Sequence, residues 1–312
     1  MSETDSPRPG EGLIQTPATA RESLERVLRA SDFIGHTLAR EPALLDELIA
    51  SGDLLRGGAE TAASYYAART PRWSPGQPLE ETEFMARLRR WRRREMVRIA
   101  YRDLAGWATL AETLAELTAF ADHAIDAAYA YARARLTAIH GEPRAASGGT
   151  QPLLTIAMGK LGGRELNFSS DIDLVFLFPE HGDTDALGSG ESPARSISNE
   201  EFFTRLGQGL LRLLGARTED GFVFRVDLRL RPFGESGPLA ASFASFEDYM
   251  QRHGRDWERY AWIKARPITG RECYAELYAS AVRPFVYRRY LDYGVFESLR
   301  EMKGLIEREV AR

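Results

Sequence analysis

Cysteine, long apolar runs and an excess of positive charge are all missing from this chain of 312 residues. A single cysteine, Cys273, excludes an internal disulfide and a cysteine-based metal site. No stretch approaches the length of apolar sequence needed to cross a membrane, and the polar start MSETDSPRPGEG has no signal-peptide core. A net charge of −4 argues against a general nucleic-acid binder. We therefore expect a cytoplasmic protein with no nucleic-acid or membrane partner.

Hydrophobic residues at 44% and charged residues at 28% are typical of a globular chain, and their pattern divides it into five parts. Residues 1–15 lack periodicity and predict a disordered tail, and the Gly- and Ser-rich stretch 141–151 predicts a linker. Apolar spacings of three to five residues predict a helical unit over 16–140, in which Ser31 caps one helix and Pro42 precedes the next. Residues 152–240 are expected to form a catalytic α/β unit, and residues 241–312 a further helical segment.

Three buried strands are predicted in the catalytic unit. Apolar runs indicate strands at 153–157 and 171–178, and an alternating pattern indicates a third at 222–230. A helix carrying Phe202, Phe203 and Leu206 lies between the last two. The overall expectation is an α+β protein, predominantly α, with its sheet between helical segments.

Asp171 and Asp173 are the centre of the functional prediction. Side chains two apart on a strand share one face, so these carboxylates should project together and require a cation between them. Asp227, on the later strand, is a candidate third carboxylate. Three carboxylates can hold two Mg²⁺ ions for phosphoryl displacement. The alternative is a pair of acids that face water at a strand end.

The flanking residues favour a phosphate site. Gly162 and Gly163 follow the first strand and allow backbone N–H groups to approach a phosphate. Further candidates for contacts to the phosphate or nucleotide are Lys160, Ser169, Ser170, Arg229 and Arg231. Because Asp227, Arg229 and Arg231 alternate, we expect them to share one strand face.

Long segments of the chain resemble a known family. The order of strand, Gly-Gly, D-x-D and later Asp is that of the polymerase β-like nucleotidyltransferase superfamily. More closely, MGKLGGRELNFSSDIDLVFLFPEHG, DGFVFRVDLRLRPFGESGPLA and GRDWERYAWIKAR resemble the bifunctional glutamine synthetase adenylyltransferase/adenylyl-removing enzymes. The resemblance is strong over about 150–270 and looser over the helical part. RELNFSSDIDL and GRDWERYAWIKAR resemble the N-terminal, adenylyl-removing half. A second cassette that combines GKLGG with a following D-x-D is absent, so the chain is expected to be a fragment.

The resemblance implies a specific reaction and partners. Inorganic phosphate attacks the α-phosphorus of an AMP–tyrosine ester on glutamine synthetase, releasing ADP and free tyrosine. Asp171, Asp173 and Asp227 hold the metal in this interpretation, and a PII-type signal protein is an expected partner. Adenylyl transfer from ATP in the same fold, a glycosyltransferase, and a non-catalytic nucleotide-binding module are the alternatives.

Two other features have less specific interpretations. The run Arg89 to Arg94 around Trp91 is expected to be a charged outer helix face, with docking to glutamine synthetase or to phosphate as the alternative. A second D-x-D, Asp183 to Asp185, is expected to be a solvated loop. Charged residues recurring from Arg255 to Arg266 either line the nucleotide site or pair with one another.

Overall fold

The computed structural model describes residues 17–58, 60–72, 79–185, 196–287, 297, 300–304 and 307–308. The predicted tail at 1–15 and the end of the predicted helical segment lie outside these residues. The chain divides into two compact units. The first contains residues up to Ala127 together with 164–170 and 216–223, and we call it the helical unit. The second contains 128–163, 171–215 and the chain from Phe224, and we call it the sheet unit.

Helices account for most of the residues up to His140, as the apolar spacings predict. Ser31 Oγ accepts from Ile34 N at 3.3 Å, which confirms the predicted cap, and the next helix begins directly after Pro42. The buried core of these helices contains Val27, Ile34, Leu48 and Tyr101. The helices are α1 (Pro17–Ala30), α2 (Asp32–Arg40), α3 (Ala43–Ala50), α4 (Ala62–Arg69), α5 (Glu81–Leu104) and α6 (Leu110–His140).

The arginine run on α5 is an outer helix face only at Arg90, which is exposed; the prediction is wrong for Arg89, which is buried, and Arg92, Arg93 and Arg94 are partly buried. Arg89 is only 1% exposed, and its guanidinium donates to the carbonyls of Gly221 and Ala216 at 2.9 and 2.5 Å. Arg98, also 1% exposed, donates to Glu95 and Glu116 at 2.7 and 2.6 Å. Because burying an unpaired charge is costly, these contacts are what allow the arginines into the core.

A mixed sheet forms the centre of the sheet unit. Its strands are β1 (Leu154–Ala157), β2 (Ile172–Phe178), β3 (Val226–Asp227), β4 (Ala240–Ser242) and β5 (Arg266–Thr269). β1 pairs antiparallel with β2 and β5, and β2 pairs in parallel with β3 at one end and with β4 at the other. The first two strands are confirmed within one residue.

Helices cover both faces of this sheet. On one face, Phe178 stacks on Phe203 with ring centroids 4.9 Å apart. On the other, Ile156 and Val175 join a core with Phe246 and Trp262. The helices of this unit are α7 (Gly159–Gly162), α8 (Asn199–Gly215), α9 (Phe243–Arg252), α10 (Asp256–Trp262), α11 (Tyr274–Leu277) and α12 (Arg283–Val286). Burial on both sides explains why β1 and β2 are continuous apolar runs.

Three further sequence predictions differ from the structure. The strand expected at 222–230 is reduced to the two residues of β3, and residues 229–233 form turns and a bend. The segment expected to be helical after residue 240 contains β5, whose register places Pro267 opposite Ile156. The stretch 141–151 is not a simple linker, because Arg144 N and Asp185 N join it to residues 183–185 through backbone hydrogen bonds of 3.1 and 2.9 Å.

The same contacts determine the structure around the second D-x-D, Asp183 to Asp185. Asp185 accepts from Arg144 Nε at 2.8 Å and from Glu142 N at 2.7 Å, and Thr184 is buried. The solvated-loop prediction therefore holds for Asp183, which is exposed, and is wrong for Thr184 and Asp185. Among the helices of the described chain, none is long and apolar enough to span a membrane.

Candidate active site

Asp173 and Asp227 lie opposite each other on neighbouring parallel strands. The register of β2 and β3 pairs them directly, so their side chains leave the sheet on the same side. Asp171 lies one residue before β2 and two residues before Asp173, so it belongs to the same side of the sheet in the strand alternation. Asp173 is half-buried, whereas the other six residues of β2 are buried. The structure therefore brings together, at one edge, the three carboxylates that the sequence singled out.

The environment of Asp173 disfavours its negative charge. Burial, together with the carboxylates of Asp227 and Asp171, raises the pKa of Asp173 above its usual range. Arg229 acts in the opposite direction but does not overcome the other causes. An uncompensated anion of this kind is the electrostatic setting in which a cation binds.

The two other carboxylates are each engaged by an arginine. Arg225 Nε donates to Asp171 Oδ1 at 2.5 Å, with both side chains about half exposed. Arg229 donates to Asp227 Oδ2 through Nε at 2.8 Å and Nη2 at 2.5 Å, and its backbone N–H donates to Oδ1 at 2.8 Å. These hydrogen bonds lower the pKa of Asp227. Asp171 and Asp227 are thus each partly compensated by an arginine, and Asp173 is the carboxylate whose charge is compensated least.

The turn between β1 and α7 supports Asp173 from the side. Met158 N donates to the carbonyl of Asp173 at 2.9 Å. Gly159 follows with φ +54°, and a Cβ at this position would clash with Asp173 Oδ2. Only glycine therefore combines this left-handed backbone with the close approach of the carboxylate.

Gly162 and Gly163 occupy the end of the same turn. Their N–H groups donate to Met158 O and Gly159 O at 2.8 and 3.0 Å, inside the helical turn. A Cβ at Gly162 would lie 2.6 Å from the carbonyl oxygen of Ala157. Close packing therefore accounts for Gly162, and contact of either glycine with a nucleotide phosphate stays a prediction.

The remaining candidate residues are placed differently. Lys160 is exposed on α7. Arg229 and Arg231 both lie after the end of β3 and not on a strand face with Asp227, so the predicted alternation is wrong. Arg231 donates to the carbonyls of Leu228 and Glu235, both at 3.1 Å, and so holds the turn after β3 together. Ser169 and Ser170 belong to the helical unit, where Ser170 Oγ donates to Asn167 Oδ1 at 2.5 Å.

The donor set fits a divalent cation chemically. Carboxylate oxygens are the ligands that Mg²⁺ prefers, and Asp173 has the excess negative charge to attract one. Within the described residues, no three acidic, histidine or cysteine side chains already converge as a metal site. Asp171 and Asp227 accept hydrogen bonds from Arg225 and Arg229 instead.

Two residues of this site were not singled out from the sequence. Arg225 alternates with Asp227 and could have been recognised as a partner for a strand-end carboxylate. Gly159 is part of the segment M-G-K-L-G-G, in which the Gly-Gly pair is the more obvious phosphate-binding candidate. In neither case does the sequence show the partner, because both contacts cross between distant segments.

The sheet with two helical faces and a D-x-D on its central strand defines an α+β protein with a nucleotidyltransferase-type layout. The family model described as glutamate-ammonia ligase adenylyltransferase matches residues 21–280. The chain belongs to this family.

Curated relatives agree with that assignment. The chain is 52% identical over 292 residues to the bifunctional glutamine synthetase adenylyltransferase/adenylyl-removing enzyme of Thioalkalivibrio sulfidiphilus, covering 93% of this chain and 29% of the relative. The proteins of the same name from Pseudomonas aeruginosa and Shewanella oneidensis are 48% and 46% identical, over 95% and 97% of this chain. The chain spans 29% and 30% of the length of these two relatives.

Proposed function

We propose that this chain removes AMP from an adenylylated tyrosine of glutamine synthetase by phosphorolysis. The observation that carries the proposal is the parallel pairing of Asp173 with Asp227, next to Asp171, in a chain of this family. The choice of removal over attachment rests on the segments RELNFSSDIDL and GRDWERYAWIKAR, which resemble the removing half. The expected setting is cytoplasmic, with a PII-type signal protein as a regulatory partner.

In this reaction an oxygen of inorganic phosphate forms a bond to the α-phosphorus of the AMP–tyrosine ester. The bond between that phosphorus and the tyrosine oxygen breaks, which yields ADP and a phenolate that takes up a proton. Phenolate is a tolerable leaving group because the pKa of tyrosine is about 10. Catalysis of this kind depends on positioning and charge stabilisation and needs no covalent intermediate with the protein.

The chain's own residues supply both requirements. Asp173 and Asp227, with Asp171, would hold one or two Mg²⁺ ions, which when bound neutralise the charge of the transferring group. Arg225 and Arg229, which donate to Asp171 and Asp227, would also place their fork-shaped guanidinium groups near the phosphate oxygens of a bound substrate. Lys160 and Arg231 are proposed to support the nucleotide or phosphate, and Gly162 and Gly163 to line it.

Product identification tests this proposal. The chain is incubated with adenylylated glutamine synthetase and Mg²⁺, with and without inorganic phosphate, and the released nucleotide is identified. We expect ADP that appears only when phosphate is present. The Asp173→Asn and Asp227→Asn variants should lose the activity, whereas Asp248→Asn, at an exposed ion pair on α9, should retain it.

The alternative outcomes separate the possible functions. Transfer of AMP from ATP to unmodified synthetase, with no ADP release, would reverse the assigned direction. Full turnover by Asp173→Asn at saturating Mg²⁺ would refute the metal assignment. A folded chain with neither activity would refute catalysis by this segment and favour the regulatory module.

A further inference from the structure

A second candidate site lies in the helical unit. A cavity of about 440 Å³ is bounded by α2, α5 and the turn at 217–222. All of its lining residues belong to the helical unit, so its geometry is set within that unit alone. Its lining includes side chains from the arginine run that the sequence singled out.

The lining of this cavity has a positive charge excess. Five arginines contribute to it, against two acids, Glu219 and Asp220. Asp220 faces Arg93 at 3.4 Å, and Arg93 also contacts Glu41 at 2.5 Å. Even with these pairs formed, the walls hold more positive than negative charge. Such a concave, cationic surface attracts anions.

Two of the arginines are available to a ligand. Arg40, at the end of α2, and Arg217 are both exposed, and no carboxylate of the described residues pairs with either of them. The guanidinium of Arg217 lies over the ring of Phe222, 5.6 Å from its centroid. This contact orients the group through the ring face and occupies none of its N–H donors with a carboxylate. A planar guanidinium presents paired donors that match phosphate oxygens.

Other arginines hold the walls of the cavity in place. Arg92 Nε donates to the carbonyl of Val223 at 2.7 Å, and its guanidinium also lies over the Phe222 ring, 5.2 Å from the centroid. Arg89 donates to the carbonyls of Gly221 and Ala216. The turn that carries Arg217 is therefore anchored to α5, and the cavity is formed before a ligand binds.

The cavity also offers an apolar wall. Phe33 on α2 is 42% exposed and lines it. The volume exceeds what a lone phosphate needs, so a ligand with an apolar part can fill the remainder. We propose that this cavity binds an organic phosphate monoester, with the phosphate between Arg40 and Arg217 and the apolar part against Phe33. This assignment does not depend on the proposed reaction.

Binding is measured by calorimetric titration of the full chain with inorganic phosphate and with phenyl phosphate. EDTA is present throughout, because without metal the carboxylates at β2 and β3 repel anions and bound phosphate then reports on the cavity. We expect saturable binding of both probes, with phenyl phosphate the tighter. The Arg40→Gln, Arg217→Gln double variant should weaken both by more than about tenfold, since charge-assisted hydrogen bonds are lost.

Two controls make the result specific. The double variant Arg21→Gln, Arg252→Gln removes the same charge from exposed ion pairs elsewhere and should bind both probes as the parent chain does. Phe33→Ala should lower phenyl phosphate binding to the level of inorganic phosphate and leave the latter unchanged. Absence of saturable binding, or an equal loss in the charge-matched control, would overturn the site. Equal binding of the two probes would overturn the organic ester as the ligand.

Discussion

Replacing Asp173 by asparagine should abolish catalysis and at the same time make the protein more stable. The reason is that Asp173 keeps a carboxylate half-buried beside Asp227 and Asp171, which raises its pKa. Asparagine has nearly the same shape but no charge. The substitution therefore removes the repulsion while leaving the packing against Gly159 unchanged.

The size of the effect follows from the strand pairing. Neighbouring strands lie about 4.8 Å apart, so we place the charges of the paired residues Asp173 and Asp227 about 5 Å apart. At an effective dielectric constant between about 20 and about 80, two unit charges at that distance repel by roughly 1 to 3 kcal/mol. Partial exposure and the Arg229 guanidinium reduce this, so we expect a stabilisation of about 1 kcal/mol. For a chain of this size that is a rise in Tm of roughly 1 to 2 °C.

The pH dependence has a definite sign. The folded-state pKa of Asp173 is raised from the ordinary value of 3.8. Ionising it therefore costs folding free energy at every pH above the folded-state pKa, and the cost disappears as the pH falls through the window between the two values. The advantage of asparagine should thus be full at pH 7 and absent below about pH 4.

Thermal unfolding of the parent chain and the variant, at pH 7 and at pH 4 without metal, tests this reasoning. Adding Mg²⁺ should raise the Tm of the parent chain and not that of Asp173→Asn, because only the parent binds the ion well. A variant that is less stable than the parent at pH 7 would refute the electrostatic argument. So would a gain in stability that is equal at both pH values.

Three further predictions concern the same contacts. Gly159→Ala should lose activity and lower the free energy of urea unfolding by about 1 to 2 kcal/mol, because the φ of Gly159 is +54° and a Cβ there would meet Asp173. The control Gly163→Ala, at a φ of −73°, should leave the free energy of unfolding unchanged, and equal losses in the two variants would contradict the strain argument. Arg229→Gln should tighten Mn²⁺ binding about three- to tenfold, because the substitution removes a cation that competes for the carboxylate of Asp227. Electron paramagnetic resonance measures this affinity, and weaker Mn²⁺ binding by the variant would show that Arg229 assists the ion. Arg98→Met should lower the free energy of urea unfolding by about 3 to 5 kcal/mol because two buried glutamates lose one of their arginine partners. A loss below about 1 kcal/mol would show that Arg94 and Arg102 compensate Glu95 and Glu116 without it.

The candidate carboxylates could be predicted from the sequence because they depend on a local pattern. The apolar run that forms β2 is interrupted at the position of Asp173 alone, and a strand places Asp171 on the same side. That periodicity fixes which side chains project together. It also explains why the central strands were correct within one residue.

The short strands could not be predicted in this way. β5 contains Pro267, which is typical of a break in a helix. It is tolerated because β5 lies at the edge of the sheet, where a missing N–H donor costs little. β3 ends after Asp227 because Arg231 and its neighbours close a turn through main-chain carbonyls. The position of β5 and the short length of β3 both depend on which strand each one pairs with. The hydrophobic periodicity of a sequence does not show strand pairing.

Burial, and not residue type, separates the arginines that stabilise the fold from those that belong to the candidate site. Arg98 and Arg229 each donate to carboxylates at 2.5 to 2.8 Å, so hydrogen-bond geometry alone does not distinguish them. The side chain of Arg98 is 1% exposed and that of Arg229 is 73% exposed. Leaving a buried carboxylate unpaired costs several kcal/mol, whereas water can replace an exposed guanidinium at a cost of about 1 kcal/mol or less. The buried arginines of α5 are therefore fixed parts of the fold, whereas the exposed Arg229 can move away from Asp227 at little cost, as the proposed metal site requires.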